Sequence, residues 1–172
     1  MRRITTRGSG ANRRLADVLM TAFVADLISP SQSVWLLSPW ISDIPVVDNR
    51  GGEILGLVPG APIRHLTLCE MLRFMAGQGS RVTVVVRNER GNDSVAARLT
   101  EPGSGSQSEV IVIRVENLHD KGFLTDHVYF EGSMNFTHYG QTVNEEGVSI
   151  HMDPDLLGRM RLDFDARFRG EA

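Results

Sequence analysis

His119 and Lys121 stand two residues apart in the stretch His119-Asp120-Lys121-Gly122-Phe123-Leu124-Thr125-Asp126, and Gly132-Ser133-Met134-Asn135 comes shortly after. Residues two apart on an extended chain face the same way. The spacing therefore predicts an imidazole and an ammonium projecting side by side, which is a site for an anion. The imidazole can attack phosphorus, and the ammonium can neutralise charge on the non-bridging oxygens. Ser133 and Asn135, again two apart, would add neutral hydrogen-bond donors to the same phosphate. Gly132 leaves room for close backbone approach.

The lysine is unusual in its own right. Of the 18 basic residues, 17 are arginine, and Lys121 is the one lysine. Lysine presents a compact, strongly hydrated point charge with rotatable donors, whereas arginine presents a broad planar fork. A phosphate held close beside His119 leaves more space for an ammonium than for a guanidinium, which gives a reason for lysine at this position.

In pattern form the stretch reads H-x-K-x4-D and then G-S-x-N, and that pattern resembles the signature of the phospholipase D superfamily. The likeness extends to Asn144-Glu145-Glu146 before Val148-Ser149-Ile150, and to a last helix ending in Phe164 and Phe168. Upstream it rests on a compatible order of strands and helices and on a Ser38-Pro39-Trp40 turn. One departure is the spacing of five residues between Asp126 and Gly132, where six is usual. A hairpin one residue tighter turns the residues after it to the other face unless a bulge corrects it. Ser133 and Asn135 are the expectations most exposed to this difference.

The resemblance implies a mechanism. Members with two such motifs build one site from both, and this chain has one motif, so the implied assembly is a homodimer that brings two copies of His119 to one phosphate. One His119, held by Glu146, which matches best by position, or by Glu145 as the second choice, would attack phosphorus and form a phosphohistidine; the other would protonate the leaving oxygen, and water would complete hydrolysis. Lys121, with Ser133 and Asn135, would cradle the phosphate. Asp126 is part of the catalytic motif, but its expected role is to hold the hairpin rather than to carry protons. No metal or other cofactor is implied, and no carboxylate set in the sequence has the spacing of a catalytic metal site.

Short single-motif members of this superfamily are mostly nucleases, so the implied activity is a phosphodiesterase acting on nucleic acid, with DNA the expected partner. The Ser-Pro-Trp-Ile-Ser-Asp turn and its Asn-Arg-Gly-Gly loop are also similar to the phospholipase-D-like component of bacterial clusters that install 7-deazaguanine in DNA and restrict unmodified DNA. That likeness implies further protein partners. Two other classes stay open: a phospholipase or transphosphatidylase acting on lipids, and a non-catalytic nucleic-acid-binding subunit that keeps the motif as a phosphate clamp.

The elements that must position these groups can be read from periodicity. Leu15 to Leu27 has apolar residues at three- and four-residue spacing and predicts a helix stopped by Ser29-Pro30. Val34 to Leu37, Val82 to Val86, Val110 to Val115 and Val148 to Ile150 read as strands, and Phe123 to Phe130 as two strands turning about Asp126. Ile63 to Ala76, Ala96 to Leu99 and Pro154 to Phe168 read as helices. Residues 41–62 read as a long loop whose polar groups are solvated, and 102–108 as a small polar insert. Strands alternating with helices predict an α/β sandwich with a mixed, mostly parallel sheet flanked by helices.

Composition sets the bounds. The chain of 172 residues has a formal net charge of −3, is 41% hydrophobic and 23% charged, and has one cysteine, Cys69. These values exclude wholesale disorder, a histone-like charge-driven binder and a cysteine zinc cluster. No apolar run approaches a bilayer span, and no signal peptide is read at the start, so a cytoplasmic location without membrane contact is expected. Residues 1–14, with five arginines before the first acid, are expected to be a basic flexible arm, and 15–172 a single domain. Trp40 and His138 are expected at the border of the pocket as substrate contacts.

Overall fold

The computed structural model describes residues 2–5, 11–101, 110–137, 147–168 and 170. In chain order the elements are β1 (Arg2–Thr5), α1 (Ala11–Ile28), β2 (Ser33–Ser38), β3 (Pro45–Asp48), β4 (His65–Thr67), α2 (Leu68–Gly77), β5 (Arg81–Arg87), α3 (Asp93–Thr100), β6 (Ile111–Val115), β7 (Gly122–Leu124), β8 (Tyr129–Gly132), β9 (Gly147–His151) and α4 (Pro154–Phe168). No described helix is long and apolar enough to cross a membrane.

Seven strands form one sheet in the order β1-β9-β8-β7-β2-β5-β6, flanked by the helices, and this is the expected mixed α/β sandwich. Its parallel part is β2, β5 and β6. These are the strands joined through helices, which is how a chain returns to start a parallel neighbour. The strands β7, β8 and β9 succeed one another as antiparallel neighbours, β7 runs antiparallel to β2, and β1 runs antiparallel to β9. The antiparallel share of the pairings is therefore larger than the alternation of strands and helices suggests, because the short turn at 125–128 reverses the chain.

Alternation along the strands builds two cores. Val34 and Leu36 of β2 and Val82, Val84 and Val86 of β5 face α1, α2 and α3. Trp35 and Leu37, with Val85, Ile113, Leu124 and Tyr129, face Leu157, Phe164 and Phe168 of α4. Phe123, wholly buried two residues beyond Lys121, packs its ring 4.8 Å from that of Phe23 in α1, and 6.2 Å and 6.4 Å from those of Phe130 and Phe136. The strand just after the histidine–lysine pair is thus pinned by an aromatic cluster.

Three expectations are corrected. Residues 41–62 are not a solvated loop throughout: β3 pairs with β4, and the wholly buried Asn49 donates to Pro62 O at 2.8 Å and accepts from Ile54 N at 2.9 Å. Asp43 likewise accepts from Cys69 N at 2.9 Å and pairs with Arg98 at 2.6 Å. The helix read over Ile63 to Ala76 starts only at Leu68, because Thr67 caps it: Thr67 Oγ1 accepts from Glu70 N and Glu70 Oε2 accepts from Thr67 N. A Thr-x-x-Glu capping box signals this start, and β-pairing takes the residues before it. Finally, Arg2–Thr5 of the basic start lie as an edge strand against β9, and α1 begins at Ala11, short of the expected boundary at residue 14. The polar insert at 102–108 lies outside the described residues.

Candidate active site

β2 runs antiparallel to β7, with Leu37 opposite Gly122, so the lead-in 118–121 arrives beside the carboxyl end of β2. Phe123 and Phe130, then Gly122 and Glu131, pair across the hairpin, which sets Lys121 beside Gly132. Gly132 N donates to Lys121 O at 3.3 Å. Gly132 in turn lies opposite Val148 of β9. One end of the β7–β8–β9 unit therefore gathers the lead-in, the G-S segment and the start of β9.

The gathering is close. A Cβ on Gly132 would stand 1.9 Å from Gly147 O, so the sheet neighbour occupies the space that a side chain would need. Ser133 is anchored to the same residue: Ser133 N donates to Gly147 O and Ser133 Oγ accepts from Gly147 N, both at 3.1 Å. A second glycine, Gly122, is required for the same reason, with Phe130 O and the Tyr129 ring each 2.9 Å from where its Cβ would be.

At this end lies an open groove of about 500 Å3, to which His119, Lys121 and Ser133 all contribute, with Asp120, Tyr129, Glu131 and Ser149 completing its walls. Its charges sort by partner. Asp120 is ion-paired to Arg167 near the end of α4, and Glu131 is hydrogen-bonded to His151 Nε2 at 2.9 Å. Burial pushes the Tyr129 hydroxyl well above the ordinary tyrosine range, helped by the nearby Glu131 and Asp120 charges, so it stays a neutral donor. Lys121 Nζ donates to His119 O at 2.8 Å. An ammonium has three N–H donors, so two remain to meet an anion. The His119 side chain is exposed and has no protein partner among the described residues. Among those residues no three His, Cys, Asp or Glu side chains come together as a metal site.

No protein-family model and no curated protein matches this chain. Solved structures do. The chain is similar to NucT from Helicobacter pylori, with a TM-score of 0.62 at 11% identity over 96% of this chain and 92% of that one. It is similar to Nuc from Salmonella typhimurium, a phospholipase D family member, with a TM-score of 0.57 at 18% identity over 98% and 93%. This chain has the phospholipase D fold. Phosphatidylserine synthase from Haemophilus influenzae Rd KW20 also shares it, with a TM-score of 0.51 at 14% identity, over 89% of this chain but 35% of that longer one.

Within this phospholipase D fold the residues singled out in the sequence fall into three groups. His119, Lys121 and Ser133 meet in the groove. The tighter hairpin does not turn Ser133 away, since its bonds to Gly147 hold it at the rim. Asn135 does not line the groove; it lies between the buried Met134 and Phe136, and its buried Oδ1 has no partner among the described residues. Asp126 stands at the turn, the opposite end of the hairpin, where its carboxylate accepts from Gln32 N at 2.8 Å and binds Arg161. Glu146 and its neighbour Glu145, like His138, lie outside the described residues.

The turn at 38–41 borders the same end of the sheet. Ser38 Oγ donates to Trp40 O at 2.6 Å and accepts from Phe136 N at 3.0 Å, and Ile41 bridges to Phe136. Trp40 is 40% exposed and has the Arg87 guanidinium over its ring at 5.6 Å. Two contributors escaped sequence reasoning. Buried Asn92 donates to Pro39 O and Arg87 O, both at 2.9 Å, and accepts from Ile41 N at 3.1 Å. Arg87 donates to Leu118 O at 2.7 Å, next to His119. Neither carries a motif, though Asn92 stands in the Gly-Asn-Asp segment before α3, where a turn-stapling amide is common.

Proposed function

We propose that this chain is a phosphodiesterase, most specifically a DNA nuclease, with His119 as nucleophile. The groove carries the reading: His119, Lys121 and Ser133 converge there, while the two carboxylates in its walls are bound by other partners, Asp120 by Arg167 and Glu131 by His151, leaving the Lys121 charge for a phosphate.

In this reading two chains pair so that the His119 side chains meet at one phosphodiester. A ring nitrogen of one attacks phosphorus, the bond to the leaving oxygen breaks, and the second imidazolium supplies that oxygen's proton. Water then attacks the phosphohistidine, the P–N bond breaks, and the water's proton passes to the second imidazole. Lys121 and Ser133 hold the non-bridging oxygens. Glu146 orients the nucleophilic imidazole, as the resemblance implies, and His138 contacts substrate. Exposure of His119 and the open groove support a site completed by a second copy. The Ser-Pro-Trp-Ile-Ser-Asp likeness adds a place in a bacterial DNA modification or restriction system, in the cytoplasm and alongside partner proteins.

The test incubates the purified full chain with single- and double-stranded DNA in EDTA, beside His119→Ala. Cleavage by the first and none by the second is expected. Sedimentation at micromolar concentration is expected to give a dimer; a fully active monomer overturns the shared site. Equal cleavage by the His119→Ala protein overturns the nucleophile.

A further inference from the structure

The Trp40 turn is built more rigidly than a surface turn requires. Pro39 O accepts from Asn92 Nδ2, Trp40 O from Ser38 Oγ, and Ile41 N donates to Asn92 Oδ1. The backbone on both sides of the tryptophan is therefore tied down, while the side chain is left 40% exposed. An exposed indole is costly to keep in water, and fixing it in place removes the freedom to bury itself elsewhere.

Its surroundings suit one kind of ligand. Arg87 lies over the ring at 5.6 Å, and a Cβ at Gly91 would stand 3.8 Å from its benzo portion. Most described arginine side chains near the sheet are spent on carboxylates, as Arg81 is on Asp165, Arg98 on Asp43, Arg114 on Asp93 and Arg167 on Asp120. Arg87 is an exception: its guanidinium meets a carbonyl and the indole, and no carboxylate among the described residues. A flat aromatic face with unneutralised guanidinium charge beside it binds a base and its phosphate together. The same Arg87 guanidinium holds Leu118 O at 2.7 Å, which ties the platform to the residue that precedes His119 in the chain.

We propose that Trp40, backed by Arg87, is a stacking platform for an unpaired nucleobase flanking the phosphodiester held in the groove, so the substrate is single-stranded at that position. This rests on reading the groove as a phosphodiester site. Bases inside a duplex have both faces covered by their neighbours, and only a splayed or single-stranded base offers a face to the indole.

The test separates binding from cleavage by using the full-length His119→Ala protein. It is titrated with a single-stranded oligothymidine, with an abasic oligomer of the same length, and with the matching duplex, monitoring indole fluorescence and affinity. Oligothymidine is expected to quench the emission and to bind about tenfold tighter than the abasic oligomer. Adding Trp40→Ala is expected to bring oligothymidine down to the abasic level without changing abasic binding, and Trp40→Phe to retain most of the preference. Equal affinity for the two oligomers, an equal loss for both on Trp40→Ala, or duplex binding with the same quench overturns the platform. A wild-type chain that cleaves DNA without base-dependent binding defeats the platform alone. One that binds bases at Trp40 yet never cleaves defeats the hydrolase reading and leaves the platform standing.

Discussion

The Asp126 carboxylate is bound by the Arg161 guanidinium, and this ion pair ties the β7–β8 turn to the middle of α4 rather than reaching into the groove. Its second oxygen takes the Gln32 amide at the start of β2, and Asp126 N donates to Ser31 Oγ at 2.8 Å. Both partners are only about a quarter exposed, at 28% each, so the pair is partly shielded from screening. The motif aspartate is a clamp on the turn of the hairpin whose other end follows directly on Lys121.

Asp126→Asn is therefore expected to cost stability, about 1–2 kcal/mol for weakened charge-assisted bonds. Cleavage per folded molecule should stay within a few-fold of the parent protein. Urea unfolding gives the first number and active-site-normalised turnover the second. A well-folded variant without turnover would reassign Asp126 to the chemistry.

Lys121→Arg keeps the charge and loses the shape. Lys121 Nζ fits against His119 O at 2.8 Å beside a tightly packed Gly132, and a planar fork has neither the compactness nor the rotatable donors. kcat/KM for DNA cleavage is expected to drop about a hundredfold, as for loss of a transition-state contact. Binding to DNA at low salt should persist. Retention of more than a tenth of the activity would show that charge alone suffices.

Gly132→Ala sets a methyl group against Gly147 O, 1.9 Å from its ideal position, and backbone cannot rotate aside as a side chain can. The expected cost is about 1–3 kcal/mol, with β8 and β9 pushed apart locally. Ser133 hangs from Gly147 on either side of this contact, so activity should fall further than stability does. Thermal unfolding and cleavage assays read the two effects separately.

Asp26 is 1% exposed, and burial pushes its carboxyl above the ordinary 3.8, against the bond from Ser31. A raised folded-state value means that the fold binds the proton more tightly than the unfolded chain does. Its contribution is fully present below the unfolded value and is lost as pH rises through the folded one. Asp26→Asn keeps an acceptor for Ser31 and removes the titration. The variant's Tm relative to the parent is thus expected to climb as pH rises above the ordinary carboxylate value of 3.8. A constant difference as pH rises would contradict a buried, titrating Asp26.

The chemistry was legible in the sequence because it is local. His119 and Lys121 are two residues apart just before β7, and both reach the same groove, as the spacing predicts for side chains two apart. The strands and helices were legible where apolar period was strong, as in α1, β5 and α4. Thr67 escaped because the apolar run Leu66-Thr67-Leu68-Cys69 reads equally as strand or helix, and pairing with β3 decides it.

The tertiary structure decided how distant pieces meet. Nothing local places Gly147 against Gly132, or shows that this backbone contact is what delivers Ser133 to the groove despite the shorter hairpin. Arg161 and Asp126 are 35 residues apart, Asn92 and Pro39 are 53, and each contact exists only once the sheet is assembled. Long-range hydrogen bonds depend on where whole strands settle, and that is set by burial summed over both faces of the sheet, a quantity no short stretch of residues contains. The sequence by itself determined which candidate groups stand side by side along the chain; the packed sheet decided which of them share a groove, and which, like Asp126, are bound at the far end of the hairpin.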